Sequence, residues 1–220
     1  MNDQTHPLID TPANPKATLV LAHGAGAGMD SPFMAAIAGG LADRGWRVLR
    51  FNFPYMVRSA LTGKKAAPDR LPTLIASFNE VIQMAAQGKY PLLIGGKSMG
   101  GRIASLVVDQ AAIDHQVRGC ICLGYPFHPP GQPQKLRTEH LRELRSPCLI
   151  LQGERDSFGG REEVEGFGLS NAIQLHWLPA GDHSFKPTKA SGLSLEDNLA
   201  SAVERMDRWF DQEALATSSV

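Results

Sequence analysis

The chain has 220 residues, 43% hydrophobic and 20% charged, and its 22 Lys plus Arg balance 22 Asp plus Glu. Zero formal charge argues against electrostatic capture of nucleic acid or of an anionic membrane, and no run approaches the ~18 apolar residues of a membrane span. The length suits one domain, read as residues 16–213 between an N-terminal extension (1–15) and a C-terminal tail (214–220), both expected to carry little structure.

The first residues, Met1-Asn2-Asp3-Gln4-Thr5-His6-Pro7, lack the basic and apolar regions of a secretory signal. Residues 17–22 (Ala-Thr-Leu-Val-Leu-Ala) form a short apolar run of the kind seen in a strand buried on both faces. A glycine-rich loop follows, His23-Gly24-Ala25-Gly26-Ala27-Gly28. It imitates a dinucleotide fingerprint, but Met29 stands where the third glycine belongs. The next strand-like run, 46–51, leads to Asn52-Phe53 and no acid that could hold a ribose. The Rossmann reading therefore fails. Phe53, Tyr55 and Met56 come directly after this run, where they could wall a binding site or simply pack.

Leu74, Phe78, Ile82 and Ala85 make a helical stripe, with Asp69 or Thr73 as possible starts and Gly88 as a stop. The apolar run 91–95 then meets Gly95-Gly96-Lys97-Ser98-Met99-Gly100-Gly101. Gly96 to Gly100 fits G-x-S-x-G, a strand-to-helix turn that lifts a serine hydroxyl above a sheet. Apolar residues at mostly helical spacing follow it, namely Ile103, Ala104, Leu106, Val107 and Val108. A phosphate-binding P-loop ending in Gly96-Lys97-Ser98 would need glycine at position 91, which is Pro91 and has no N–H to offer. Lys97 itself reads as a surface or ion-paired lysine.

Residues 119–123 (Gly-Cys-Ile-Cys-Leu) are another strand, with Cys120 and Cys122 on one face. No Cys or His at zinc spacing accompanies them, so with Cys148 they read as buried, reduced thiols of a cytoplasmic protein. The Pro-rich loop from Tyr125 carries Phe127, a further candidate for an apolar wall. Strand 147–152 ends in Gly153-Glu154-Arg155-Asp156-Ser157, and strand 173–178 leads to Gly181-Asp182-His183-Ser184-Phe185. A last stripe, Leu195, Leu199, Val203, Met206, Trp209 and Phe210, opens at Ser194 and Glu196-Asp197. Six strands alternating with helices predict a mostly parallel sheet covered on both faces.

A serine hydroxyl needs a base to take its proton and a carboxylate to orient that base. In chain order Ser, Asp or Glu, then His, the partners of Ser98 are Asp156 and His183, each just past the carboxyl end of a strand. Glu154 or Asp182 could replace Asp156 as the acid, and Asp156 could instead cap a helix. His6, His115, His128, His140 and His176 have no comparable placement. Two backbone donors should face the developing oxyanion. One is the N–H of Met99, the other an N–H of the first glycine-rich loop, at Ala25 with Gly26 as its neighbour. His23 is read as organising that loop.

Together the HGAGAG loop, GGKSMGG elbow, GERD loop and GDHSF segment resemble the α/β-hydrolase superfamily, over roughly residues 16–211. The likeness is to its small, cap-less dienelactone-hydrolase-like members, whose relatives include a testis-expressed protein and a chromatin-complex subunit. That resemblance implies an α/β-hydrolase fold with a central sheet of about six or seven strands and no large cap. It also implies Ser98 as nucleophile, Asp156 as orienting acid and His183 as base, acting on a small acyl substrate without cofactor or metal. Dienelactone hydrolases use cysteine where this chain has Ser98, so their substrate does not carry over. The alternative is a non-catalytic interaction module that kept the frame. Nothing in the residues sets an oligomeric state.

Overall fold

The computed structural model describes residues 5–217. Seven strands form one sheet in the order β1-β3-β2-β4-β5-β6-β7. Their spans are β1 Leu8–Asp10, β2 Ala17–Ala22, β3 Trp46–Phe51, β4 Leu92–Lys97, β5 Val117–Leu123, β6 Cys148–Gly153 and β7 Ile173–Leu178. All neighbouring pairs are parallel except β1 on β3. The helices are α1 Pro32–Ala42, α2 Pro54–Thr62, α3 Leu71–Ala86, α4 Met99–His115, α5 Glu139–Arg142, α6 Arg161–Val164 and α7 Leu195–Thr217.

The continuous apolar strands are explained by two cores, one on each face. Leu19 and Leu21 of β2 pack with Met34, Leu41, Met206 and Trp209 of α1 and α7. Val20 and Ala22, pointing the other way, pack with Phe78, Ile82, Ile103 and Val107 of α3 and α4. A strand with helices on both sides has no polar face to show. From β2 the chain crosses to β3 on one side and later to β4 on the other, so a crevice opens between the carboxyl ends of β2 and β4.

Two departures from the sequence reading concern the ends. The N-terminal extension, expected to carry little structure, contributes β1, whose Asp10 is gripped by Arg50 at 2.8 Å. Three residues show no periodicity, and their partner is forty positions away. At the other end α7 runs to Thr217, into the stretch read as a tail, whose last residues, 218–220, lie outside the described ones. Ser194 opens this helix, its hydroxyl accepting from Asp197 N while Asp197 accepts from Ser194 N, a capping box in form. In α3 the first residue is Leu71. Asp69 instead accepts from Tyr55 N and pairs with Arg58. Among the described residues no helix is long and apolar enough to cross a membrane.

Candidate active site

Gly96 and Gly100 make the elbow sterically possible. A Cβ on Gly96 would stand 2.7 Å from the Ala22 carbonyl oxygen, and one on Gly100 would stand 2.5 Å from the same atom. No side chain fits where α4 crosses β2. Ser98 between them has φ 51° and ψ −113°, a conformation an L residue adopts only when its surroundings impose it. Its N–H is held by the Leu123 carbonyl and its own carbonyl accepts from Arg102 N, so both neighbours pin the turn.

Three loops converge on this turn. His183 Nε2 lies 2.8 Å from Ser98 Oγ, and its Nδ1 lies 2.8 Å from Asp156 Oδ2. Asp156, 3% exposed, also accepts from Phe158 N at 2.9 Å and from Gln152 Nε2 at 2.8 Å. An ionised carboxylate only accepts, so the imidazole proton belongs on Nδ1 and Nε2 is free to receive the serine proton. Gln152 is fully buried on β6 and also bonds Tyr125 N, Tyr125 O and Gly159 O. It is a positioning residue that the sequence hid, because a glutamine inside an apolar strand carries no motif. Phe158 stacks on the His183 ring at 4.1 Å between centroids.

The other acids are spent on turns. Asp182 Oδ1 accepts from Ser184 N and Lys186 N, shaping the loop that presents His183. Glu154 accepts from Ala180 N and meets Arg161. Among the remaining histidines, His128 binds Glu163 and His140 meets Ser105, both away from Ser98.

Ala25 lines the same cavity as Ser98 and His183. Met99 opens α4, where its N–H has no partner within the helix. Behind the glycine-rich loop, buried His23 bonds the Gly24 carbonyl through Nδ1 at 2.6 Å and receives Phe53 N at Nε2. Burial lowers its pKa to about 4, so the ring is neutral. The Tyr55 hydroxyl donates to the Gly24 and Ala25 carbonyls at 3.2 and 3.1 Å.

The aromatic wall read from sequence is corrected here. Phe53 and Tyr55 are fully buried beneath the loop, Met56 packs against the core beside Gly28, and Phe127 is buried against Tyr125 and Phe167. None lines the cavity of about 390 Å³ above Ser98. They followed strand ends as a site wall would, but their rings turned into the core. The apolar wall is instead Pro32, Phe33 and Met34 at the start of α1, with Phe158 opposite. Only the Pro at the head of α1 hinted at this, as a helix-start residue.

Lys97 is the other correction. Rather than a surface or ion-paired side chain, it is buried, with Nζ donating to the His183 carbonyl at 2.6 Å. The rings of Phe33 and Phe185 flank the ammonium at 5.4 and 6.0 Å. Burial lowers its pKa to about 8, against the opposing pull of Asp156 and Asp182.

The sequence matches the model of the alpha/beta hydrolase domain over residues 15–211. Among solved structures, an alpha-beta serine hydrolase homologue from Coxiella burnetii is 19% identical, covering 92% of this chain and 89% of its own, with a TM-score of 0.68. Est1E from Butyrivibrio proteoclasticus is 15% identical over 94% and 93%, at 0.69. A dienelactone hydrolase from Anabaena variabilis is 19% identical over 93% and 89%, at 0.68.

Proposed function

The chain belongs to the alpha/beta hydrolase family, and on that premise we propose that it is a serine hydrolase cleaving a carboxylic ester, or a thioester, through an acyl-enzyme. One observation carries the reading: an unbroken hydrogen-bond chain from Asp156 through His183 to Ser98, each link 2.8 Å. Ser98 Oγ attacks the substrate carbonyl as its proton passes to His183 Nε2. Negative charge then grows on the carbonyl oxygen, where the N–H groups of Met99 and Ala25 meet it; one such donor is commonly worth about 2.7–4 kcal/mol to the transition state. Asp156 steadies the imidazolium without taking its proton. His183 next protonates the leaving group, and water, activated by the same nitrogen, releases the acyl chain from Ser98.

No cofactor enters these steps. A cavity of about 390 Å³ lies near the small end of ligand pockets, so short acyl groups are the expected substrates. Three unpaired, buried cysteines support a reducing, cytoplasmic setting. A fluorophosphonate probe tests the reading. Labelling of the wild type and not of Ser98→Ala supports it, together with turnover of short-chain nitrophenyl esters. A folded wild type that resists the probe favours the interaction module instead.

A further inference from the structure

We infer that Cys120, Cys122 and Cys148 form a trigonal thiolate site for a soft monovalent metal ion, Cu(I) in its chemistry, within the sheet. These are the chain's only cysteines, and the fold brings all three together. Cys120 and Cys122 share one face of β5, and Cys148 opens β6 directly opposite Cys120 in the strand register. All three sulfurs lie within 4.8 Å of one another, with Cys120 and Cys122 at 3.8 Å. The sequence could not show this, since the third ligand arrives through strand pairing and not through spacing.

The dimensions suit an ion. With one pair at 3.8 Å and none beyond 4.8 Å, the three sulfurs surround a point roughly 2.2–2.6 Å from each, close to the usual metal–thiolate length of about 2.3 Å. No histidine or carboxylate among the described residues joins the group. Zinc, which takes four ligands in structural sites, is therefore poorly served, whereas a soft ion content with three thiolates is well served. Every sulfur is fully buried, which excludes water as a competing ligand. On binding, three S–H bonds give way to three S–metal bonds and three protons pass to solvent. The ion would join β5 to β6. It would also take from Cys122 the proton it now shares with the Gly101 carbonyl, 3.3 Å away in the first turn of α4.

Burial dictates the experiment. The full chain is refolded without oxygen in the presence of one equivalent of Cu(I), supplied as its acetonitrile complex, then freed of loose metal with a Cu(I) chelator. Expected are one ion per chain by native mass spectrometry, an X-ray absorption spectrum with three sulfur neighbours, and a raised thermal midpoint. Cys148→Ser should weaken retention at least about 10–100-fold, since even outer-shell partners are worth that much. Loss of all metal to the chelator overturns the site, as do nitrogen or oxygen neighbours in the wild-type spectrum or undiminished retention by folded Cys148→Ser. Should that variant not refold, the wild-type spectrum alone decides.

Discussion

Asp156 and Glu154 stand two residues apart on one loop, and what separates them is their company. Asp156 is buried with donors from Phe158 N and Gln152 Nε2 and has His183 Nδ1 at 2.8 Å, whereas Glu154 faces Arg161 and the backbone of a turn. Asp156→Asn puts an amide where the imidazole proton must be accepted, which favours the wrong tautomer. kcat/KM toward a short nitrophenyl ester should drop about 10³–10⁴-fold while circular dichroism stays native. Glu154→Gln should change it less than about tenfold, because the amide oxygen still accepts from Ala180 N. Equal losses in the two variants would remove Asp156 from the proposed triad. Gln152 acts one step behind. Gln152→Leu strips a donor from the carboxylate and leaves Tyr125 N without its acceptor, so about 1–3 kcal/mol of stability should go with part of the rate, seen as a lower urea midpoint.

The elbow belongs to the next scale, where β4, α4 and β2 meet. A methyl at Gly100 collides with backbone, the Ala22 carbonyl at 2.5 Å, and backbone cannot swing aside as a side chain would. Gly100→Ala should therefore lower the thermal midpoint and slow fluorophosphonate labelling together, at a cost of about 1–3 kcal/mol. Gly26→Ala, with nothing within 4 Å of the added carbon, should leave the midpoint unchanged. These elements show what could be read from residues alone. Strand β2 occurs where a continuous apolar run placed it, because a strand buried on both faces must be apolar throughout. Strands β3 and β7 also span the runs 46–51 and 173–178, although β7 lies at the sheet edge and is only half-buried. That Ser98, Asp156 and His183 would meet was legible, since glycines and chain order mark them. The cavity wall was not, since whether Phe53 or Phe33 faces the cavity depends on how the starts of α1 and α2 seat against the sheet, which no local pattern encodes. β1 was hidden for a related reason: its definition rests on Arg50 and on pairing with β3, both remote in sequence.

At the scale of the whole molecule, the sheet carries its chemistry at one rim and its stability in two cores. Lys97 lies where these demands conflict. It ends β4 inside the fold, yet its ammonium must hold the carbonyl of His183, a residue reached only after three more strands. A lysine whose folded pKa is about 8, against 10.5 when solvated, disfavours the folded state while it is charged. Below pH 8 it is protonated folded and unfolded, and the burial penalty is at its fullest, about 3 kcal/mol at ~1.4 kcal/mol per pKa step. Between pH 8 and 10.5 only the unfolded chain still holds the proton, so the penalty fades as pH rises, and above that window it is gone. Lys97→Met removes the charge and keeps most of the volume. It should be more stable than the wild type at pH 7, by about 2–3 kcal/mol in urea unfolding, with the gap closing toward pH 10. The same variant frees the His183 carbonyl and lets the base drift from Ser98, and displacement near 1 Å can cost about 10²-fold in rate. A more stable yet slower protein would show that the fold tolerates this buried charge for what it does to His183. A variant both slower and less stable at pH 7 would assign Lys97 to packing alone.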